Sequence, residues 1–95
     1  MYYEKTDIFS VIKEAVFSMR TGDYGAAASK INRLLLLLQA EISKGKIAAR
    51  DLSKLTYSLE TLVTFQKAGD WVAVADILEF EFEALWKSAV NQSDS

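Results

Sequence analysis

The sequence predicts an all-α domain, folded as an antiparallel up-down four-helix bundle built from two helical hairpins. Four glycines and no proline in 95 residues suit a few helices joined by tight turns better than a many-stranded sheet. Apolar residues make up 51% of the chain and recur at helical spacing in four segments separated by glycines. We expect one domain, residues 1–95, with loosely ordered tails at 1–5 and 91–95.

The first helix is predicted to begin after Thr6, which would serve as its N-cap, and to end before Gly22. Its apolar residues recur about every 3.6 positions and form one inward face. That face consists of Ile8, Ile12, Ala15, Val16 and Met19. Phe17 points away from this face, so we expect it to be only weakly covered.

The second helix, predicted from Asp23 to Gly45, contains five successive leucines at positions 34–38 and is the element around which the chain packs. Five residues sweep more than one full turn, so a single core-facing stripe cannot hold them all. The predicted core face consists of Tyr24, Ala27, Ala28, Ile31, Leu34, Leu35, Leu38 and Ile42. The opposite surface consists of Gly25, Ala26, Ser29, Leu36, Leu37 and Ala40. A surface of small residues carrying two leucines is unusual for a face in water and indicates a partner.

The third helix is predicted to begin between Ile47 and Asp51 and to end at Lys67. Its inward residues are Ala48, Leu52, Leu55, Leu59, Leu62 and Val63. After Gly69, Asp70 is the expected cap of the last helix. The core stripe of that helix is Trp71, Val74, Ala75, Leu78, Phe82, Leu85 and Ala89, with Trp86 at its edge. A second apolar row on the same helix consists of Ile77, Phe80 and Ala84.

The two hairpins share one internal correspondence. The tripeptide Gly22-Asp23-Tyr24 is matched 47 positions later by Gly69-Asp70-Trp71. In each case a glycine closes one helix, an aspartate caps the next and an aromatic residue follows. The match has two explanations, a duplication of one hairpin or the convergence of two hairpins on the same turn chemistry, and both strengthen the prediction of the turns.

Composition removes most kinds of catalytic site. Cysteine and histidine are both absent, which excludes disulfides, thiolate and imidazole catalysis and most zinc, haem and iron-sulfur sites. The charged clusters are the acidic group Asp76, Glu79, Glu81 and Glu83 and the basic group Lys44, Lys46, Arg50 and Lys54. We interpret the first as a solvated or partner-docking face and the second as charges that complement helix ends. We therefore expect no enzyme, cofactor or metal; a metal-dependent enzyme using the carboxylates of the last helix is the weakest alternative.

The charge balance and the N-terminal residues bear on location and partners. A formal net charge of −2 gives no overall field that would attract nucleic acid or anionic lipid. The first residues lack the basic and apolar regions of a secretion signal, and the leucine run is too short to span a bilayer. We expect a cytoplasmic protein that binds neither nucleic acid nor membrane.

Surplus apolar surface is the strongest functional signal. Six residues lie outside the predicted inner stripes and are the expected partner-binding set: Leu36, Leu37, Ala40, Ile77, Phe80 and Ala84. Small residues beside the leucines would let a partner helix approach closely. We expect a small interaction protein, resembling a chaperone or adaptor, that binds an amphipathic helix of a partner protein and also forms a homodimer. The alternative is an obligate homo-oligomer that shares one core and has no separate client.

The order of elements from Arg20 to Lys87 resembles the helical core of the flagellin-export chaperone family. The similarity lies in the order of five features: a Gly-Asp-Tyr turn, a long leucine-rich helix, a helix carrying Leu52, Leu55 and Tyr57, the turn Ala68-Gly69-Asp70, and a last helix with Leu78 and Leu85-Trp86. The chain departs from that family in lacking a Thr-Ala-Ser-Pro turn followed by a Met-Leu-Tyr-Asp helix. The resemblance implies an antiparallel bundle whose outer apolar grooves hold the C-terminal helices of a client.

Overall fold

The computed structural model describes residues 4–45 and 47–94, with side chains described for 8–45 and 47–90. Its helices are α1 (Glu4–Arg20), α2 (Tyr24–Ile42), α3 (Ala49–Lys67), α4 (Trp71–Asp76) and α5 (Glu83–Asp94), and a π-helical segment, Ile77–Phe82, joins the last two. Because the backbone stays helical through both junctions, α4, the π-helical segment and α5 together form the fourth helix. The described residues contain no strand, and the predicted all-α four-helix bundle is confirmed.

Helix ends differ from the predictions at three places. The first helix begins at Glu4, so Thr6 lies inside it and the predicted cap at Thr6 is wrong. The second helix ends at Ile42 and not at Gly45, which lies in the following turn at φ +74°. The last helix continues to Asp94, so residues 91–94 of the predicted loose tail have helical backbone. Residues 1–3 and 95 of the predicted tails lie outside the described residues.

The two hairpin turns have the same hydrogen-bonded geometry. Gly22 and Gly69 adopt φ angles of +84° and +77°, a left-handed conformation that glycine reaches without steric cost. The amides of Asp23 and Asp70 donate to the carbonyl five residues earlier, at 2.8 and 3.0 Å. Each aspartate side chain then accepts a hydrogen bond from the amide three residues later, at 3.2 and 3.1 Å, and so caps the next helix. Both predicted turns are confirmed.

Two aromatic rings connect the hairpins at the end of the bundle where these turns lie. Tyr24 and Trp71 stack with their ring centroids 5.2 Å apart and their planes 9° from parallel. Tyr24 is 47% exposed, so its predicted place in the core is wrong. As the first residue of α2 it lies at the rim of the bundle, where the partner ring covers one of its faces.

A single core receives side chains from all four helices. Its largest fully buried apolar members are Trp86, Phe82, Ile8, Ile12, Ile31, Leu34, Leu38, Leu55, Leu62, Leu78 and Val74. Val11 and Val90 are also buried, although neither was in a predicted stripe, whereas Ala48 is exposed where an inward position was predicted. Ser58 is buried among them and donates its hydroxyl to Glu81 Oε1 at 3.0 Å, so its polar atom is satisfied.

The π-helical segment changes which side of the fourth helix faces the core. Trp86, predicted at the edge, is fully buried, and Leu85, predicted in the stripe, is only partly buried. A π-helical turn holds more residues than the 3.6 of an α-helical turn, so positions four apart line up across it. Leu78, Phe82 and Trp86 therefore lie along one line, and the predicted edge position of Trp86 is wrong.

The same segment accounts for a one-residue difference between the two hairpins. Before it, the offset of 47 pairs Ala27 of α2 with Val74, and both are fully buried. After it, an offset of 48 pairs the equally buried Leu38 and Trp86. The fourth helix thus has one residue more than α2 between matching core positions, and the wider turn accommodates it.

The packing of the helices leaves a groove on each side of the fourth helix. The α1 helix packs along α2 and also against α4 and the π-helical segment, while α3 packs against all three parts of the fourth helix. Within the described parts of the chain, α1 packs on both α2 and the fourth helix, whereas those two form no extensive contact with each other, which is the diagonal relation of an up-down bundle. The contact between α2 and α3, which are neighbours in a closed bundle, is also not extensive, so α2 packs mainly on α1. The grooves between α1 and the fourth helix and between α3 and the fourth helix are therefore the concave surfaces that flank this helix.

Candidate protein-interaction site

The six predicted partner-binding residues do not form one surface. Leu36, which is 67% exposed, and Ala40 lie on the outer side of α2. Phe80, also 67% exposed, and Ala84 lie on the outer side of the fourth helix. Because these two helices are diagonal in the bundle, the structure has two separate exposed rows.

The remaining two residues of that set are less exposed than the sequence predicts. Leu37 and Ile77 are partly buried and pack against the core cluster. Each follows a fully buried residue, Leu34 or Val74, by three positions, which places it only about 60° around the helix from that residue. Their predicted outward position is therefore wrong.

A groove between α1 and the fourth helix has an exposed phenylalanine on each wall, and we call it the α1 groove. Its wall on α1 is lined by Phe9, Ile12, Lys13, Val16, Phe17 and Arg20. Its wall on the fourth helix is lined by Glu79, Phe80, Glu83, Ala84 and Lys87. Two adjoining depressions with volumes of about 380 and 600 Å³ make up the groove.

Phe17 and Phe80 line opposite walls of the α1 groove. They are 69% and 67% exposed, whereas Phe9 packs partly against the core. Burying a phenylalanine that is exposed contributes about 1.5 to 3 kcal/mol to binding before entropic costs. These two rings are therefore the strongest candidates for anchoring a partner.

One end of the α1 groove is closed by charge pairs. The Arg20 guanidinium donates to Glu79 Oε1 at 2.6 Å and to Asp76 Oδ1 at 3.2 Å. These hydrogen bonds raise the pKa of Arg20, first through Glu79 and then through Asp76. The group is already cationic at any physiological pH, so the pairs are present throughout that range. They connect the end of α1 to the beginning of the fourth helix across the groove.

The middle of the groove contains charges without ion-pair partners. Among the described residues, Lys13, Glu83 and Lys87 form no ion pair within 4.0 Å. Glu14, the neighbour of Lys13, instead binds Lys30 of α2 at 2.9 Å on the other side of α1. The groove therefore presents both cationic and anionic groups to an incoming partner.

Sequence reasoning counted Phe17 as a weaker member of the surplus apolar surface but did not pair α1 with the fourth helix in one site. Phe9, Lys13 and Phe17 recur at intervals of four residues, which places them along one side of the helix. Phe80 and Ala84 have the same spacing on the fourth helix. The pattern was present in the sequence. The pairing of these two rows, however, depends on which helices are neighbours and on the axial offset between them.

The predicted charged clusters are divided among several contacts. In the acidic cluster, Asp76 and Glu79 bind Arg20, and Glu81 accepts the Ser58 hydroxyl on the opposite side of the helix. No three Asp or Glu side chains within the described residues lie close enough together to hold a metal ion. In the basic cluster, Lys44 binds Glu41 at 2.9 Å, and Lys46 lies outside the described residues.

The groove on the other side of the fourth helix has fewer exposed apolar side chains. It is lined by Ser53, Lys54, Tyr57, Ser58, Glu81 and Leu85, with a volume of about 370 Å³. Only one of its aromatic or aliphatic side chains, Tyr57, is strongly exposed. The α1 groove, with an exposed phenylalanine on each wall, is therefore the better candidate.

Comparisons with known proteins add no assignment. No protein-family profile, curated protein sequence or solved structure matches the chain. None of the helices in the described part of the chain combines the length and the apolar character needed to cross a membrane.

Proposed function

We propose that this protein is a small non-enzymatic interaction protein of the cytoplasm, resembling a chaperone or adaptor, and that its α1 groove binds an amphipathic helix of a partner protein. The observation that supports this most directly is the exposure of Phe17 and Phe80 on the two walls of one groove. Monomeric proteins seldom leave such side chains grouped and uncovered unless they bind something.

The shape of the site suits a helix better than a small molecule. The groove is open along its length and bounded by two helices, which is the usual setting for a partner helix that inserts residues at i, i+3, i+4 and i+7. The small side chain of Ala84 permits close approach between the anchoring positions. Lys13 and Glu83 provide polar contacts that fix the orientation of the bound helix.

The resemblance to flagellin-export chaperones supports the same mode of binding. In that family, outer apolar grooves hold helices of a client and prevent its premature assembly. By analogy, Leu36 and Ala40 on α2 form a second client-binding row on another face, exposed like Phe80. A client that contacts both rows has to wrap around the bundle, because α2 and the fourth helix are diagonal.

The proposal is tested by replacing Phe80 with a charged residue. Phe80→Glu is expected to leave the helical circular dichroism and the melting temperature nearly unchanged, because the side chain is mostly in solvent. It is expected to abolish the capture of partner proteins by the tagged chain from an extract of the native host, detected by mass spectrometry. Leu36→Glu tests the row on α2 in the same way.

The matched control is Val72→Glu. Val72 is 70% exposed and does not line the α1 groove, so this variant adds the same charge at an equally exposed site. It should retain the partners of the wild-type chain. Equal capture by wild type, Phe80→Glu and Val72→Glu would refute the role of the α1 groove.

A further inference from the structure

Lys13 on α1 and Glu83 and Lys87 on the fourth helix are the charges of the α1 groove that form no ion pair among the described residues, since Arg20 and Glu79 bind each other. The wall on α1 carries the cations Lys13 and Arg20, and the wall on the fourth helix carries the anions Glu79 and Glu83. Lys87 is a cation at the far end of the second wall. At the level of Lys13 and Glu83, a partner that fits this groove has to present an anion to α1 and a cation to the fourth helix.

The Arg20 pairs establish which positions of the two walls lie at the same level. Arg20, at the end of α1, binds Glu79 near the beginning of the fourth helix, so the two helices run antiparallel. Lys13 lies about two turns before Arg20, and Glu83 lies about one turn after Glu79. Lys13 and Glu83 line the same two depressions from opposite walls. Phe17, one turn before Arg20, is therefore nearly level with Phe80.

We infer that the α1 groove binds a second copy of this chain, related by a two-fold axis parallel to the helices. This rests on the proposed function, because it identifies the occupant of the same groove. Rotation about such an axis places α1 of one copy against the fourth helix of the other. Lys13 of each copy then meets Glu83 of the other, and the contact is made twice, as symmetry requires.

The charge pattern selects this axis over the alternative. A two-fold axis perpendicular to the helices would place α1 on α1, bringing the Lys13 and Arg20 walls of the two copies together. Like charges in such an interface are unfavourable. With the parallel axis, Lys13 meets Glu83 of the second copy and Phe17 meets Phe80 of the second copy. The two exposed rings are covered by the same arrangement that pairs the charges.

Reciprocal charge reversals test the inference on the full-length protein. Lys13→Glu brings two carboxylates together at each proposed contact, and Glu83→Lys brings two ammonium groups together. Sedimentation at about 100 μM, where dimers with micromolar dissociation constants are formed, is expected to show a wild-type dimer. Each variant alone should dissociate at least about tenfold more readily. An equimolar mixture of the two variants should form a heterodimer. One of its two contacts pairs the introduced carboxylate with the introduced ammonium group, and the other retains the original Lys13–Glu83 pair.

The alternatives give different results. Val72→Glu is the control and should dimerise like the wild type, since it lies outside the groove. A wild-type dimer that is unaffected by both charge reversals, or is lost in Leu36→Glu, would place the interface elsewhere and overturn the inference. Failure of the mixture to associate more tightly than either variant would also overturn it.

The same measurements separate this inference from the proposed function. A purified wild-type chain that is monomeric at about 100 μM would exclude the second copy as the occupant. If Phe80→Glu still lost host partners that the wild type captures, the groove would remain a binding site for another protein. If wild type and Phe80→Glu captured the same partners, the proposed function would fail as well.

Discussion

At the residue scale, the adjacent leucines Leu36 and Leu37 show how accurately helical periodicity predicts the burial of a side chain. Both were assigned to the outer face of α2, yet Leu36 is exposed and Leu37 packs against the core. The pattern predicts the centre of a buried stripe well because core residues recur at fixed angles. It does not predict how wide the stripe is, because width depends on how closely the neighbouring helices approach.

The two leucines provide a matched pair of substitutions. Leu37→Ala is expected to lower the free energy of unfolding by about 1 to 2 kcal/mol, since it removes packed methyl groups from a partly buried site. Leu36→Ala should change it by no more than about 0.5 kcal/mol. Both variants make the same change in the same helix, so differences in helix propensity cancel. Urea unfolding followed by circular dichroism measures both, and equal losses would contradict the different environments of the two residues.

At the element scale, the helices and their turns were predictable, whereas the π-helical segment was not. Gly22-Asp23 and Gly69-Asp70 specify the turns through local chemistry, a left-handed glycine followed by a capping carboxylate. A π-helical turn has no comparable residue signature. It accommodates one extra residue between core positions that pack on the neighbouring helices, so Trp86 was predicted at the edge of the stripe although it is fully buried.

Deleting a single residue tests this origin. Removal of Phe80 from Ile77–Phe82 is expected to convert the segment to α-helix while Phe82 and Trp86 keep facing the core, as their counterparts do in α2. The variant should unfold cooperatively within a few degrees of the wild-type melting temperature. The control is removal of Tyr57, an exposed residue of the regular helix α3, which rotates the rest of that helix by about 100°.

The control deletion should lose most of its cooperative transition, because Leu62 and its neighbours leave the core. Thermal melts followed by circular dichroism compare the two. Similar destabilisation by both deletions would show that the π-helical segment is required for more than accommodating one residue.

At the scale of the whole molecule, the fold class followed from sequence but the candidate site did not. Phe80 and Ala84 were identified from the fourth helix alone. The opposite wall, with Phe9 and Phe17, is part of the site only because of the position of α1 along its axis relative to the fourth helix. Arg20 connects the two helices at that position. The axial offset between two packed helices depends on many small contacts at once, and no single residue pattern encodes this offset.

The core of one protomer also bears on stability in dilute solution. Trp86, Phe82 and Leu62 are fully buried within a single chain, so a monomer keeps its own core. We therefore expect the melting temperature of Phe80→Glu to be independent of protein concentration, since this variant lacks the proposed dimer contact. Differential scanning calorimetry over a hundredfold dilution measures this. A melting temperature that falls on dilution, or a variant unfolded at every concentration, would indicate an obligate oligomer that shares its core.

The two tryptophans occupy opposite environments, and this gives the protein two independent optical reporters. The Trp86 indole is enclosed, and its Nε1–H has no hydrogen-bond acceptor among the described residues, while Trp71 stacks on Tyr24 at the rim. Emission from Trp86 therefore follows the integrity of the interior, and emission from Trp71 follows the contact that joins the hairpins. Replacing either one with phenylalanine isolates the signal of the other, so loosening of the hairpin junction and loss of the core can be observed separately.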